Sequence, residues 1–243
     1  NKVANPLEQF TIKTLVPIQL GQIDASLTNS GLFMVLTVAA ISLFLSLSMR
    51  KRLLVPGRWQ SLAEISYEFI AGMIRDNVGS EGRKYFPFVF SLFMFILFAN
   101  LIGLIPYAFT FTSHIVVTFA MALVVFLGVT VIAIARHGLH FFSFFLPSGI
   151  PMLMAPVLVP IEVLSYLSRP ISLSIRLFAN MMAGHTMMKV FAGFVIPLGI
   201  FGGWAPLSVD VALTAFEFLV AFLQAYVFTV LTCLYLNDAI NLH

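Results

Sequence analysis

No aspartate, glutamate, lysine or arginine occurs between Phe86 and Ala135. A run of that length without a charge has no soluble surface to offer. It divides instead into two membrane spans, Phe86–Ile105 and Ile115–Ala135, joined by a short uncharged turn at Pro106–Ser113, since ~20 helical residues cross a ~30 Å hydrocarbon core. Three further apolar stretches, Leu32–Met49, Ala155–Phe201 and Leu207–Leu236, bring the spans to five. Only 9% of the 243 residues are charged and 60% are hydrophobic, against roughly 25% charged in soluble domains. The fold class expected is therefore an all-α integral membrane protein.

The chain shows no internal repeat and no low-complexity linker, so one membrane domain is expected over residues 1–243. It comprises a first span at 31–49, an amphipathic surface helix at 58–79, a helical hairpin at 86–136 and a long polar-striped hairpin at 155–242. Seven of the thirteen lysines and arginines fall between Arg50 and Lys84. Basic residues favour the inner side of a membrane, which places the N-terminus outside and the C-terminus inside. The net charge of +3 reflects these connector residues and not a nucleic-acid surface. Cys233 is the only cysteine, so neither a disulfide nor a thiolate metal site is available.

Ser61 and Glu64 read as an S-x-x-E capping box. Leu62, Ile65, Phe69 and Met73 then share one helical face, and Glu64, Glu68 and Arg75 the other, which predicts a helix lying on the inner surface. Its polar face is as acidic as it is basic, which suits contact with another subunit better than anionic lipid; a plain surface connector fits the same pattern.

The chemistry concentrates between Glu162 and Asp238. Glu162, Arg169 and Arg176 recur every seven residues, drifting only ~20° per step around a helix. Asn180 follows one turn after Arg176, and His185 lies beyond it. In the last span Glu217, Gln224 and Asp238 share a heptad register. Arg176 has no acidic residue within nine positions, and an arginine keeps its charge. Such a charge at membrane depth costs about 2.5–3.5 kcal/mol on insertion scales and marks a pathway, a counter-ion or a sensor.

At ~1.5 Å per residue, Glu162 lies ~21 Å to one side of Arg176 and His185 ~13 Å to the other. An antiparallel return helix brings Glu217 near the His185 level and Asp238 toward Glu162. That gives two titratable clusters with an untitratable cation between them. Arg176 cannot pass a proton on, so the pattern suits two half-channels with a carrier between them. A moving carboxylate on a partner, anionic opposite Arg176 and neutral in lipid, would serve. Arg176 could instead be structural, paired with Glu217, and Asn180 and Gln224 could simply bond between helices.

At these residues the sequence resembles a known family. Ser172-Leu-Ser-Ile-Arg176-Leu-Phe-Ala-Asn180-Met-Met-Ala-Gly-His185 is similar to the signature of F-type ATP synthase subunit a. Leu223-Gln224-Ala-Tyr-Val-Phe-Thr-Val-Leu-Thr-Cys-Leu-Tyr235 resembles that family's last helix, and Asn100-Leu-Ile-Gly-Leu-Ile-Pro106-Tyr the end of an earlier one. The similarity runs from about Asn5 onward. It implies a stator subunit whose Arg176 faces the carboxylates of a rotating c-ring. It further implies an outer half-channel with Asn180, His185, Glu217 and Gln224, and an inner one with Glu162 and Asp238. The implied partners are the c-ring, the peripheral stalk, other membrane-sector subunits, the lipid bilayer and protons, with no cofactor. The family's two long helices lie steeply tilted; a helix from Pro156 to Phe194 would be ~58 Å long, about twice the core.

The His185/Glu217 arrangement resembles mitochondrial and alphaproteobacterial members, and the start at Asn1 without methionine favours the mitochondrial inner membrane of the two. No G-x-x-x-x-G-K-[ST] phosphate loop occurs, so ATP chemistry is expected in other subunits. The alternative is a self-contained proton-coupled secondary transporter, which would usually carry its own mobile carboxylate and often an inverted repeat. Haem binding is a weaker possibility, because His185 is the only histidine well inside a span.

Overall fold

The computed structural model describes residues 11–17, 19–20, 23–24, 26–50, 55–105, 108–138 and 154–241. Asn5, Lys51 and Arg52 of the basic stop, Pro106 and Tyr107 of the turn, and residue 242 lie outside the described residues. Among the described residues, seven α-helices follow a short N-terminal β segment: α1 Asn29–Ser48, α2 Arg58–Asn77, α3 Phe86–Gly103, α4 Ile115–His137, α5 Ala155–Val195, α6 Gly199–Gly202 and α7 Trp204–Ile240. Of these described residues, four stretches, Asn29–Ser48, Ser80–Gly103, Ile115–His137 and Trp204–Ile240, are long and apolar enough to cross a membrane. The fifth long helix, α5, has the length, but Glu162, Arg169, Arg176 and Lys189 dilute its apolarity.

Both polar-striped helices are longer than a span requires. α5 has 41 residues and α7 has 37, so each extends over ~55–60 Å, roughly twice the ~30 Å core. Pro160 and Pro170 both lie inside α5, and the helix continues through them. The fourth apolar stretch does not stay helical to Phe201: α5 ends at Val195, and a turn with Gly199 at φ 66 leads into α6.

The chain forms two compact units. One comprises residues 1–51, 94–117 and 177–225; the other comprises 52–93, 118–176 and 226–243.

In the first unit, strands β1 (Thr14–Val16) and β4 (Leu27–Thr28) pair antiparallel, as do β2 (Gln19–Leu20) and β3 (Ile23–Asp24). These strands are too short to carry a two-residue hydrophobic period, and the sequence reading did not anticipate them. They end on the cap of α1, where Thr28 Oγ1 accepts from the Gly31 amide at 3.3 Å, filling an orphan donor of the first turn. Asn29 Oδ1 accepts from the Lys13 amide at 3.2 Å, and Asn29 Nδ2 donates to the Thr11 carbonyl at 3.2 Å. Ahead of α4, Phe109 and Phe111 are buried and form a small core with Ala99 against Phe33, Met34, Phe95 and Val117.

In the second unit, α2 Arg58–Asn77 lacks the expected cap. Gly57 is the N-cap and provides no side-chain cap; Ser61 is already helical, its amide bonded to the Gly57 carbonyl at 2.8 Å. Glu64 instead accepts from Gln60 Nε2 at 2.8 Å, one turn back. The capping-box reading fails because the helix begins at Arg58, directly after Pro56 and Gly57. α2 buries Gln60, Ala63, Ile70, Met73 and Ile74, and leaves Leu62, Ile65 and Phe69 exposed with Trp59. Phe69 still meets Phe93 and Tyr226, both at 5.8 Å between ring centroids.

Candidate functional site

α5 buries one line of side chains and leaves apolar residues such as Leu164 and Ile171 exposed. Leu173, Leu177 and Met181 are buried at four-residue spacing, and His185 continues that line. Arg176 and Asn180 lie on the other side and are exposed. The separation follows from helix geometry, because nine residues at ~100° each put His185 about half a turn away from Arg176. The polar residues of α5 therefore form two lines and not one stripe.

The buried line holds the first cluster. His185 Nδ1 lies 2.8 Å from Glu217 Oε1, an ion-pair distance when the ring is protonated. The better-aligned hydrogen bond of that nitrogen is to the Met181 carbonyl at 3.0 Å. His185 Nε2 is 2.8 Å from the Gly103 carbonyl and 3.1 Å from Thr110 Oγ1. Thr110 Oγ1 in turn donates to the Gly103 carbonyl at 3.2 Å. Both ring nitrogens face oxygen acceptors, an arrangement that a doubly protonated imidazole satisfies completely.

Glu217 is 4% exposed and Gln224 3%. Both Glu217 oxygens and Gln224 Nε2 are buried without a hydrogen bond among the described residues, as is Asn100 Oδ1. Asn100 Nδ2 donates to the Ala221 carbonyl at 3.4 Å, and Asn180 Nδ2 donates to Gln224 Oε1 at 2.9 Å. The four expected residues of this group thus meet as two pairs, His185 with Glu217 and Asn180 with Gln224. Unsatisfied buried polar atoms set along one helix are the kind that hold ordered water, and they continue from Glu217 to Gln224.

Three neighbours escaped the sequence reading. Gly184 faces Glu217 so closely that an added Cβ would collide with the carboxylate. Gly103 contributes a main-chain carbonyl, which no side-chain pattern reveals. Asp210 stands one heptad before Glu217, and extending the Glu217–Gln224 spacing backward finds it.

The second unit holds the other cluster. Arg169 Nη1 bonds Asp238 Oδ2 at 3.0 Å, and its guanidinium lies over the rings of Tyr166 and Tyr235, at 5.2 and 4.8 Å. The Tyr166 hydroxyl meets Thr130 Oγ1 at 2.7 Å. Asp238 is thus engaged by a cation that the heptad pattern had placed but no role had claimed. Glu162, half-buried on α5, forms no ion pair with the described residues. Arg176 likewise makes neither an ion pair nor a hydrogen bond with them, while Glu217 has His185 as its partner.

Long apolar helices carrying a buried His185–Glu217 pair, and an exposed arginine with no ion-pair partner among the described residues, define a polytopic membrane protein of the ion-translocating kind. The family model for the ATP synthase A chain matches residues 31–237. The chain belongs to that family. It is 60% identical over 247 residues to the ATP synthase subunit a of Paramagnetospirillum magneticum, covering 99% of this chain and 100% of that one. Against the ATP synthase subunit a of Pelagibacter ubique, identity is 59% over 240 residues and 98% of each chain. Against that of Rhodospirillum rubrum it is 58% over 239 residues, 98% of this chain and 99% of the other.

Proposed function

We propose that this chain is the proton-conducting stator subunit of an ATP synthase membrane sector, with two half-channels facing a rotating c-ring. The observation that carries the reading is the exposed Arg176, a permanent cation on a 41-residue helix with no ion-pair partner among the described residues. A cation so placed in low dielectric calls for an anion from another chain. A c-ring carboxylate meets that need: ionised opposite Arg176, protonated when it turns to lipid. The small exposed neighbours Ala179 and Ala183 leave room for close approach.

In this reading His185 and Glu217 pass protons along the outer half-channel, with Asn180 and Gln224 deeper in it. Glu162 and Asp238 line the inner one, and Arg176 prevents direct leakage. Rotation is driven by ~2.3 kcal/mol per proton per 100 mV. The subunit has no catalytic site of its own, and ATP chemistry belongs to other subunits; the peripheral stalk and further membrane-sector subunits complete its partners. The alphaproteobacterial relatives favour a bacterial inner membrane over the mitochondrial one, and the basic connector favours an external N-terminus.

The test is ATP-driven proton flux in proteoliposomes bearing the whole complex. Arg176→Lys is expected to abolish pumping despite intact assembly, because lysine keeps the charge but not the planar fork. Normal pumping in Arg176→Lys would mean that charge alone suffices, and normal pumping in Arg176→Ala would remove Arg176 from the centre of the mechanism.

A further inference from the structure

The first unit contains an open cavity of about 710 Å³ whose wall includes His185, Lys189 and Asp210, with Lys13, Asn29 and Thr214. Charged groups at membrane depth normally face a water-filled cavity or one another, and this wall carries two lysines, a histidine and an aspartate. Asp210 is the only carboxylate among those lining residues. One of its oxygens, Oδ1, is buried and has no hydrogen-bond partner among the described residues. Its main-chain carbonyl is bonded, accepting from Thr214 Oγ1 at 2.8 Å, so the peptide group is held and the carboxylate is the group left over.

Asp210 also stands in register with the buried line. It precedes Glu217 by seven residues, ~10 Å along α7, and Glu217 is the charged group that acts on it electrostatically. The register runs Asp210, Glu217, Gln224. The first member lines the cavity, while the second is enclosed beside His185.

From this geometry we infer that Asp210 is the proton-collecting group of the His185/Glu217 path, taking protons from cavity water and handing them inward. The inference rests on the proton path proposed above. The step balances without a further reactant. The Asp210 carboxylate takes a proton from hydronium, leaving water, and the acid so formed returns that proton through water to the Glu217 carboxylate or the His185 imidazole. Lys13, Lys189 and His185 are the other charged or titratable groups that line this cavity, and Glu217 is the neighbouring carboxylate on Asp210's own helix.

The test uses the whole complex in proteoliposomes, with proton-driven ATP synthesis measured against pH on the cavity side. Asp210→Asn is expected to lower the rate several-fold at high pH, where protons are scarce, and little at low pH. Asp210→Glu should restore the profile, and formate added to the cavity side should rescue Asp210→Asn, because a small carboxylic acid replaces the lost collector. Unchanged rates at every pH would overturn the inference. So would a uniform loss that neither glutamate nor formate repairs, which would mark Asp210 as structural. Glu217→Gln serves as the control: if it leaves the flux intact, the path itself falls, whereas an inert Asp210→Asn beside an inactive Glu217→Gln removes Asp210 alone.

Discussion

Gly184 shows how much of this site depends on an absence. His185 can lie against Glu217 only because the preceding residue has no side chain, and a methyl group there would occupy the space of the carboxylate. Gly184→Ala is therefore expected to displace Glu217, at an overpacking cost of about 1–3 kcal/mol, and to slow proton flux without preventing assembly. Adding Glu217→Asp, which shortens the acid by one methylene, should recover part of the flux. Measuring both in proteoliposomes decides it, and a Gly184→Ala complex with wild-type flux would show that the close approach has no functional weight. Polar residues in apolar runs were legible from sequence, because each is costly and so informative: Arg176, Asn180, His185, Glu217 and Gln224 stand out at once. Gly184 carries no such signature, and Asp210 lies outside the motifs that drew attention to the last helix.

At the scale of the element, the part of the α3–α4 connection just ahead of α4 behaves as buried structure. Phe109 stacks on His114 with ring centroids 5.3 Å apart, and Phe111, Thr112 and Ser113 are buried beside it. Burial pushes the His114 imidazole below its ordinary value of 6.5, because the charged form loses its hydration. The unfolded connection thus takes up a proton at a higher pH than the folded one. Its stability is complete above the ordinary histidine range and declines as pH falls toward the lowered folded value, levelling off below it. Amide exchange of Phe111–Ser113 in the complex is expected to accelerate on acidification through this range, beyond the intrinsic pH trend of exchange, and His114→Gln should remove the excess. An unchanged excess in the variant would assign it to another group.

α2 gives the complementary lesson. Its amphipathic character was legible, but not its cap or the residues it packs against the protein. Proline and glycine at 56–57 begin the helix before Ser61, and Ala63 and Ile70 proved a better packing surface than the bulkier Leu62 and Ile65. Periodicity ranks faces by hydrophobicity, whereas packing also selects them by shape.

At the scale of the whole molecule, the long apolar helices and their order were readable because lipid admits few alternatives. The β segment and the division into two units were not, since both arise from contacts distant in sequence. Orientation is open to direct measurement. Ile12 and Val55 are exposed, and Cys233, the lone native thiol, is buried. Cysteines at Ile12 and Val55 in sealed vesicles should react with an impermeant maleimide from opposite sides, Ile12→Cys from outside. Labelling of both from one side would reverse the orientation read from the basic residues.

The two prolines of α5 have a mechanical consequence. Each deletes one rung of the hydrogen-bond ladder, so each acts as a soft joint in an otherwise stiff rod. Both joints lie on the N-terminal side of Arg176. Sideways load on this rod flexes the stretch that holds Glu162 and Arg169, while Arg176, Asn180 and His185 ride together on an unbroken segment whose spacing the load leaves unchanged.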